Sequence, residues 1–334
     1  MGASCTRRRG WFSFCLGRAT AREYIGWMRK ISEKRQVVER ERREHNVRRG
    51  RWGWFHFENM PWLQDVFRGF LRLVGLRRRG ERNATAILVE WVEFELAELG
   101  RAFDGMRILL VTDTHIDEFP SLAGEIVRLA ESVEYDLCIL GGDYNFGYRQ
   151  ESGMAYLRMR ELAEGLVRRS PVYGILGNHD KYAMGAMLAE CGVRMLVNEH
   201  AVIERGGERL PLVGLDDCHY YEAADIALAE EGLPEGAFKV MLSHSPEMYR
   251  DAAEAGYSLY LAGHTHGGQV CLPGGIAVVS CATAPRRMLR GKWRYGGMAG
   301  YTSRGSGASG VSVRFFCRPE ITVITLRRGV VGGA

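Results

Sequence analysis

The chain has 334 residues, 46% hydrophobic and 25% charged, which excludes a disordered polyelectrolyte and leaves room for a sizeable core. It contains no run of about 18 apolar residues, so no simple spanning helix is expected. The arginine-bearing start lacks a continuous apolar stretch with a small-residue cleavage site, so no secretory signal is expected either. The net charge of +5 conceals an asymmetry: residues 1–83 hold 21 Lys and Arg against 8 Asp and Glu, whereas residues 84–334 hold 24 against 32. A basic arm on an acidic body points to an anionic membrane or nucleic acid as partner. Eight cysteines occur without a CxxC pair, several in apolar runs such as LCIL and FFC, which fits reduced thiols in a reducing compartment.

Residues 1–19 carry no element signal. Gly2, Thr6 and Cys5 match a loose acylation pattern that chance explains. Thr20 and Glu23 form a capping box for a helix reaching about Val47, with Tyr24, Ile25, Met28 and Ile31 as one apolar stripe. Five of the seven tryptophans precede residue 63. After Pro61, the spacing of Trp62, Val66, Phe67, Phe70, Leu73 and Val74 predicts one apolar helix face. Arg68, Arg72 and the Arg77–Arg79 triplet stand beside it. An aromatic, apolar face flanked by arginines suits a helix lying in an anionic membrane surface; the alternative is a helix packed on the catalytic body. At Ala84 the composition changes. AILVEWVEFEL alternates as a half-exposed strand should, and a boundary is placed here between a helical extension, 1–83, and a catalytic domain, 84–334.

Five apolar runs then end in polar residues. RILLVTDTH ends in Asp113 and His115, DLCILGGD in Asp143, and PVYGILGNHD in Asn178, His179 and Asp180. FKVMLSHSP ends in His244, and SLYLAGHTHGG in His264 and His266. SLAGEIVRLAESV and AYLRMRELAEGLVRRS, between the first three, have helical apolar spacing. Strand–helix–strand order predicts an α/β fold with largely parallel strands, whose ligands gather beyond the strand carboxyl ends. A lone Asp there is usually a cap and a lone Asn–His a turn, but five such coincidences in order are not credible. The other four histidines, His45, His56, His200 and His219, lie outside these blocks.

Two Asp, one Asn and four His exceed what one tetrahedral ion takes and suit two divalent ions sharing a carboxylate. Mixed nitrogen and oxygen donors without thiolate favour manganese, iron, zinc or nickel, with manganese the first choice. Two such ions clamp a phosphoryl group and activate a bridging water for in-line attack.

The ordered set DTH, GGD, GNHD, SHSP and GHTHGG resembles the motifs of calcineurin-like metallophosphoesterases over about residues 84–328. The resemblance implies a four-layer α/β/β/α sandwich of two mixed sheets. It implies that Asp113, His115, Asp143 and His266 hold one metal, and that Asp143, Asn178, His244 and His264 hold the other. Asn178 would also touch the phosphate, and His179 would face it as acid or charge stabiliser. GHTHGGQ, TSRGSGASG and VRFFCRPEITVITLRR are similar to a membrane-associated bacterial branch that includes UDP-2,3-diacylglucosamine pyrophosphatases of lipid A synthesis. That likeness implies a lipid-linked substrate at the cytoplasmic membrane face. From the residues alone, Ser303–Arg304–Gly305 is a glycine-rich turn whose guanidinium is either a phosphate contact or part of an ordinary exposed loop. Two rivals remain. One is a soluble phosphodiesterase or nuclease gripping nucleic acid with the basic arm, which is disfavoured because the arm holds no nucleic-acid module. The other is a non-catalytic membrane scaffold. One departure stands out. Many relatives carry a second Asp that orients the acid histidine, where this chain has Phe146; either His179 lacks a carboxylate partner, or Asp180 or Asn145 substitutes.

Overall fold

In a computed structural model, residues 35, 37–39, 61–147, 152–234, 236–279 and 282–329 are described. Residues 35 and 37–39 are helical, as expected for the stretch from Thr20 to Val47; the rest of that helix and the 1–19 segment lie outside the described residues.

Strand β2 (Arg107–Val111) reads RILLV and is buried on both faces, the mark of a central strand between two layers. Its period of two splits it cleanly. Leu109 and Val111 join one core with Ile126, Met159, Leu162 and Leu166. Ile108 and Leu110 join another with Leu212, Val240, Leu242, Leu259 and Leu261. The first core lies under α3 (Leu122–Glu131), α4 (Gly153–Val167) and α5 (Tyr182–Glu190).

The second core is the seam between two six-stranded sheets. One sheet runs β1-β14-β2-β3-β4-β5, with β1 at Leu88–Leu96, β3 at Leu137–Leu140, β4 at Val172–Gly174, β5 at Arg194–Met195 and β14 at Glu320–Arg328. The other runs β12-β13-β9-β8-β7-β6. Its members are β6 (Glu199–Arg205), β7 (Glu208–Gly214), β8 (Val240–Leu242), β9 (Leu259–Ala262), β12 (Gly291–Tyr295) and β13 (Met298–Thr302), while β10 (Cys271–Leu272) and β11 (Ile276–Ala277) pair as a separate hairpin. A third core packs Val213, Met241 and Tyr260 under Tyr249 and Ala252 of α7 (Tyr249–Glu254) and Ala229 of α6 (Ile226–Ala229). The expected α/β/β/α order of layers is therefore what forms. β2, β3, β4 and β5 run parallel, as do β7, β8 and β9, so both sheets point their carboxyl ends the same way within each run.

Two helices precede β1: α1 (Pro61–Leu73) and α2 (Arg77–Thr85). Both pack on the body. Leu71 and Phe67 of α1 meet Val311, Val313 and Phe315. In α2, a Cβ on Gly80 would lie 2.6 Å from Val313, so only glycine lets this helix approach so closely. The expected apolar face of α1 is thus divided: Phe67 turns inward with Leu71, while Trp62, Val66, Phe70 and Leu73 stay 54–86% exposed. No helix among the described residues is long and apolar enough to cross a membrane.

Candidate metal centre

The five polar blocks fall at the carboxyl ends of β2, β3 and β4 in one sheet and β8 and β9 in the other. They meet where the two sheets' ends come together. Asp113, His115, Asp143 and His266 bring ligand atoms within 4.8 Å of one another, and so do Asp143, His244 and His264. Asp143 belongs to both groups. In the first group the Nε2 atoms of His115 and His266 are 3.1 Å apart, and His266 Nε2 is 3.5 Å from Asp113 Oδ1. In the second, His244 Nε2 is 3.1 Å from Asp143 Oδ2, and Asn178 Oδ1 is 2.9 Å from His264 Nδ1.

This convergence costs the backbone strain. Asp113, His115, Asp143, His264 and His266 all have positive φ, between 38° and 69°, a region that non-glycine residues seldom enter. Two glycines clear the space: a Cβ on Gly177 would sit 2.2 Å from Asp143 Oδ1, and one on Gly263 would sit 2.2 Å from Asp113 Oδ2.

Backbone carbonyls aim three of the rings. His115 Nδ1 is 2.9 Å from the Asn145 carbonyl, His179 Nδ1 3.0 Å from that of Phe146, and His244 Nδ1 2.8 Å from that of Gly141. A carbonyl only accepts, so each Nδ1 carries a proton and each Nε2 is the atom turned towards the cluster. Phe146 therefore supplies by its main chain what a carboxylate does in many relatives. Neither expected substitute takes that place. Asp180 instead accepts backbone N–H bonds from Asp143, Tyr144 and Gly177 at 2.8 Å each, and Asn145 donates from its amide to Gly147. Asp180 braces the loops that carry Asp143 and His179.

Burial, with His219 and His244 beside it, holds His264 well below the usual histidine range. Burial, with His115 and Arg314 beside it, does the same for His266. Burial also brings His179 down to about 3, outweighing the attraction of Asp143. For Asp143 burial works the other way, yet His244 and His179 hold its carboxyl well below the carboxylate range. At His244 the order is reversed: burial would lower the ring, but Asp143 beside it pushes it up to about 10, so a cation there displaces a proton, whereas His264 and His266 are already in the neutral form that a ligand needs. The buried Nε2 atoms of His244 and His264 and Nδ2 of Asn178 have no hydrogen-bond partner, although each lies within the cluster. Donor types, tautomers and these orphaned atoms all fit two divalent ions.

Arg304 is placed differently. Its guanidinium is paired with Glu320 and with Glu90, so a phosphate there would have to displace two carboxylates. Three groups at the site gave no sequence signal. Arg314 is fully buried and reaches the carbonyls of His266, Arg304 and Gly307, with Nη2 3.1 Å from His266 Nδ1. His219 packs its ring 4.3 Å from that of His264, and its Nδ1 lies 3.0 Å from Glu247 Oε2. Burial would raise Glu247, but the hydrogen bond from His219 holds it far below the carboxylate range. His200 bonds the Ala229 carbonyl, away from the cluster, and His45 and His56 lie outside the described residues.

Residues 106–268 match the family model described as calcineurin-like phosphoesterase. The chain is 29% identical over 232 residues to Phosphodiesterase YaeI of Escherichia coli, covering 66% of this chain and 82% of that one. It is 27% identical over 256 residues to a metallophosphoesterase, YkoQ, of Bacillus subtilis, covering 73% and 92%. A zebrafish (Danio rerio) transmembrane protein with a metallophosphoesterase domain is 27% identical over 259 residues, 71% of this chain and 56% of that one. Two mixed sheets, a cluster fit for divalent metals at their joined ends and the match of residues 106–268 to the calcineurin-like phosphoesterase model agree: the chain is a metal-dependent phosphoester hydrolase.

Proposed function

We propose that the protein hydrolyses a phosphodiester or pyrophosphate bond in a lipid-linked substrate at the cytoplasmic face of a membrane. The observation that carries the chemistry is Asp143, common to both ligand groups. In this reading Asp113, His115, Asp143 and His266 hold one ion and Asp143, Asn178, His244 and His264 the other. Bound divalent ions supply charge neutralisation on the phosphoryl oxygens and an activated water. The donor set lacks thiolate, so manganese is our first choice.

The protein's own residues do the rest. Asp143 accepts the His179 backbone N–H at 2.9 Å, which ties the acid loop to the ligand cluster. His179, with its Nδ1 proton held by Phe146, presents Nε2 towards the cluster, 3.8 Å from Asp143 Oδ2. An incoming phosphate anion raises its proton affinity; the ring takes a proton from solvent at Nε2 and then donates it to the leaving oxygen. Asn178 supports the same phosphoryl group through its orphaned amide nitrogen.

The substrate class rests on α1. Its exposed stripe of Trp62, Val66, Phe70 and Leu73, flanked by Arg68 and Arg72, suits the headgroup region of an anionic membrane. Residues 1–83 then act as the docking extension of a catalytic domain spanning 84–334. UDP-2,3-diacylglucosamine is the specific candidate. The test is turnover of that lipid nucleotide by the manganese-loaded full chain, with release of UMP as readout. Hydrolysis of simple diesters without any release of UMP rejects this substrate and keeps the chemistry.

A further inference from the structure

A groove of about 360 Å³ runs between the α1–α2 corner and the Val311–Val313 stretch. Its walls combine two chemistries. Leu71, Val311, Val313 and Phe146 are apolar, whereas Arg68, Arg72 and Arg77 bring three guanidinium groups. The two acids that line it are already engaged. Glu81 accepts from Arg77 Nε at 2.6 Å, and Glu118 accepts from the Ser312 hydroxyl. Arg68 is anchored by Asp65 and by the Gly310 carbonyl. Arg72 makes no ion pair or side-chain hydrogen bond among the described residues.

Phe146 joins this groove to the metal centre. It lines the groove, its ring stands edge-on to His115 at 6.1 Å, and its carbonyl holds His179. An uncharged apolar groove would suit a neutral tail, and an arginine cluster alone would suit any phosphate. The two together select a molecule with both, because guanidinium groups pair with phosphate while the apolar wall gains only by covering hydrocarbon. The groove also opens on the helix that carries the exposed apolar stripe, which gives a chain leaving a membrane surface a short route to the site.

We propose that the groove binds the hydrocarbon chain of a phosphate-bearing amphiphile, with Arg72 at its headgroup, and presents the phosphoester bond past Phe146 to the paired ligand groups. The inference rests on the lipid-linked reading above and adds the residues that select the substrate. Arg72 is a specificity residue in this scheme, and Leu71, Val311 and Val313 form the hydrocarbon wall.

The experiment compares two synthetic diesters, dodecyl 4-nitrophenyl phosphate and ethyl 4-nitrophenyl phosphate, with the manganese-loaded full chain below the micelle concentration. The wild type is expected to favour the dodecyl ester by more than about tenfold in kcat/KM, the effect of burying about two methylenes. Ser312→Trp, which fills the groove, is expected to bring that ratio near one, whereas Arg72→Glu, facing the headgroup that both esters share, is expected to lower kcat/KM for both, and Arg72→Lys to keep most of it. A high wild-type ratio that survives Ser312→Trp overturns the groove and leaves the lipid-linked reading standing, and unchanged kcat/KM for both esters in Arg72→Glu overturns the role of Arg72. A wild-type ratio near one overturns both. Calorimetric titration of dodecyl phosphate against the same chains covers any variant that has lost turnover: undiminished binding by Ser312→Trp also overturns the groove.

Discussion

Arg35 and Asp216, 181 residues apart in the chain, form a fully buried ion pair directly behind the loop that carries Asn178 and His179. The same guanidinium donates to the carbonyls of Gly177, at 2.7 Å, and Asp180, and lies 3.9 Å over the Tyr221 ring. Four residues on, Glu39 accepts from the Tyr182 backbone N–H at 2.8 Å. A residue of the basic extension therefore completes the wall of the metal centre.

Removing Arg35 takes the guanidinium from the buried Asp216 carboxylate and one donor from each of the carbonyls that flank Asn178 and His179. Arg35→Ala is expected to lose about 3–5 kcal/mol of unfolding free energy, the usual cost of orphaning one partner of a buried pair. Urea denaturation measures it. Arg35→Ala together with Asp216→Ala should recover part of the loss. A single substitution that unfolds at the wild-type denaturant midpoint would mean that Arg35 contributes nothing to the fold.

The shared position of Asp143 separates it from the other ligands. Asp143→Asn is expected to lose both ions, and His266→Ala only one, as counted by elemental analysis after dialysis. Bound metal also raises stability, by about 2.7 kcal/mol at a hundredfold excess over the dissociation constant, because the unfolded chain has no such site. Chelation should therefore lower the melting temperature of the wild type and leave that of Asp143→Asn unmoved. Equal metal content in the two variants would contradict a bridging role for Asp143.

His179 stands outside both ligand groups, so His179→Ala should keep two ions while kcat falls by about 10² to 10⁴, the range for loss of a positioned acid. Its orientation comes from a main-chain carbonyl, so Phe146→Ala should retain most of the turnover of a short diester. A large kcat loss in Phe146→Ala with metal content intact would show that the side chain, not the carbonyl, holds the ring.

Much of the site is legible in the sequence because strand ends place side chains at fixed periods. Ile108 and Leu110 against Leu109 and Val111 already state that β2 is covered on both faces, and the runs ending in Asp113, Asp143 and His264 state where ligands project. Partners reached through the main chain leave no such pattern. The carbonyls of Asn145 and Phe146 that aim His115 and His179 are common to every residue type, so the side chains of Asp180 and Asn145 are the only candidates until the loops are seen. Arg314 and His219 come from segments with no ligand grammar, and only folding brings them to His266 and His264. In α1 the apolar residues form two stripes, and nothing in their spacing says whether Phe67 or Trp62 meets the body.

Away from the centre, Glu199 at the start of β6 predicts how stability responds to pH. Burial pushes its carboxyl up to about 8, against the pull of Arg194, and its Oε2 has no hydrogen-bond partner. Arg194 Nη2 is 3.8 Å from Oε1, too far for a hydrogen bond that would favour the ionised form. The folded chain therefore keeps a proton that the unfolded chain, with an ordinary value of 4.5, releases. Between those two values the native state binds more protons, so stability falls as pH rises, by up to about 1.4 kcal/mol per pH unit from this group. Below about pH 4.5 the carboxyl is neutral in both states and the penalty vanishes. Glu199→Gln keeps the shape without the charge. In urea denaturation under chelating conditions it should match the wild type at pH 4.5 and exceed it at pH 8. A difference between the two chains that stays constant across that window would mean that Glu199 ionises at its ordinary value in the folded protein.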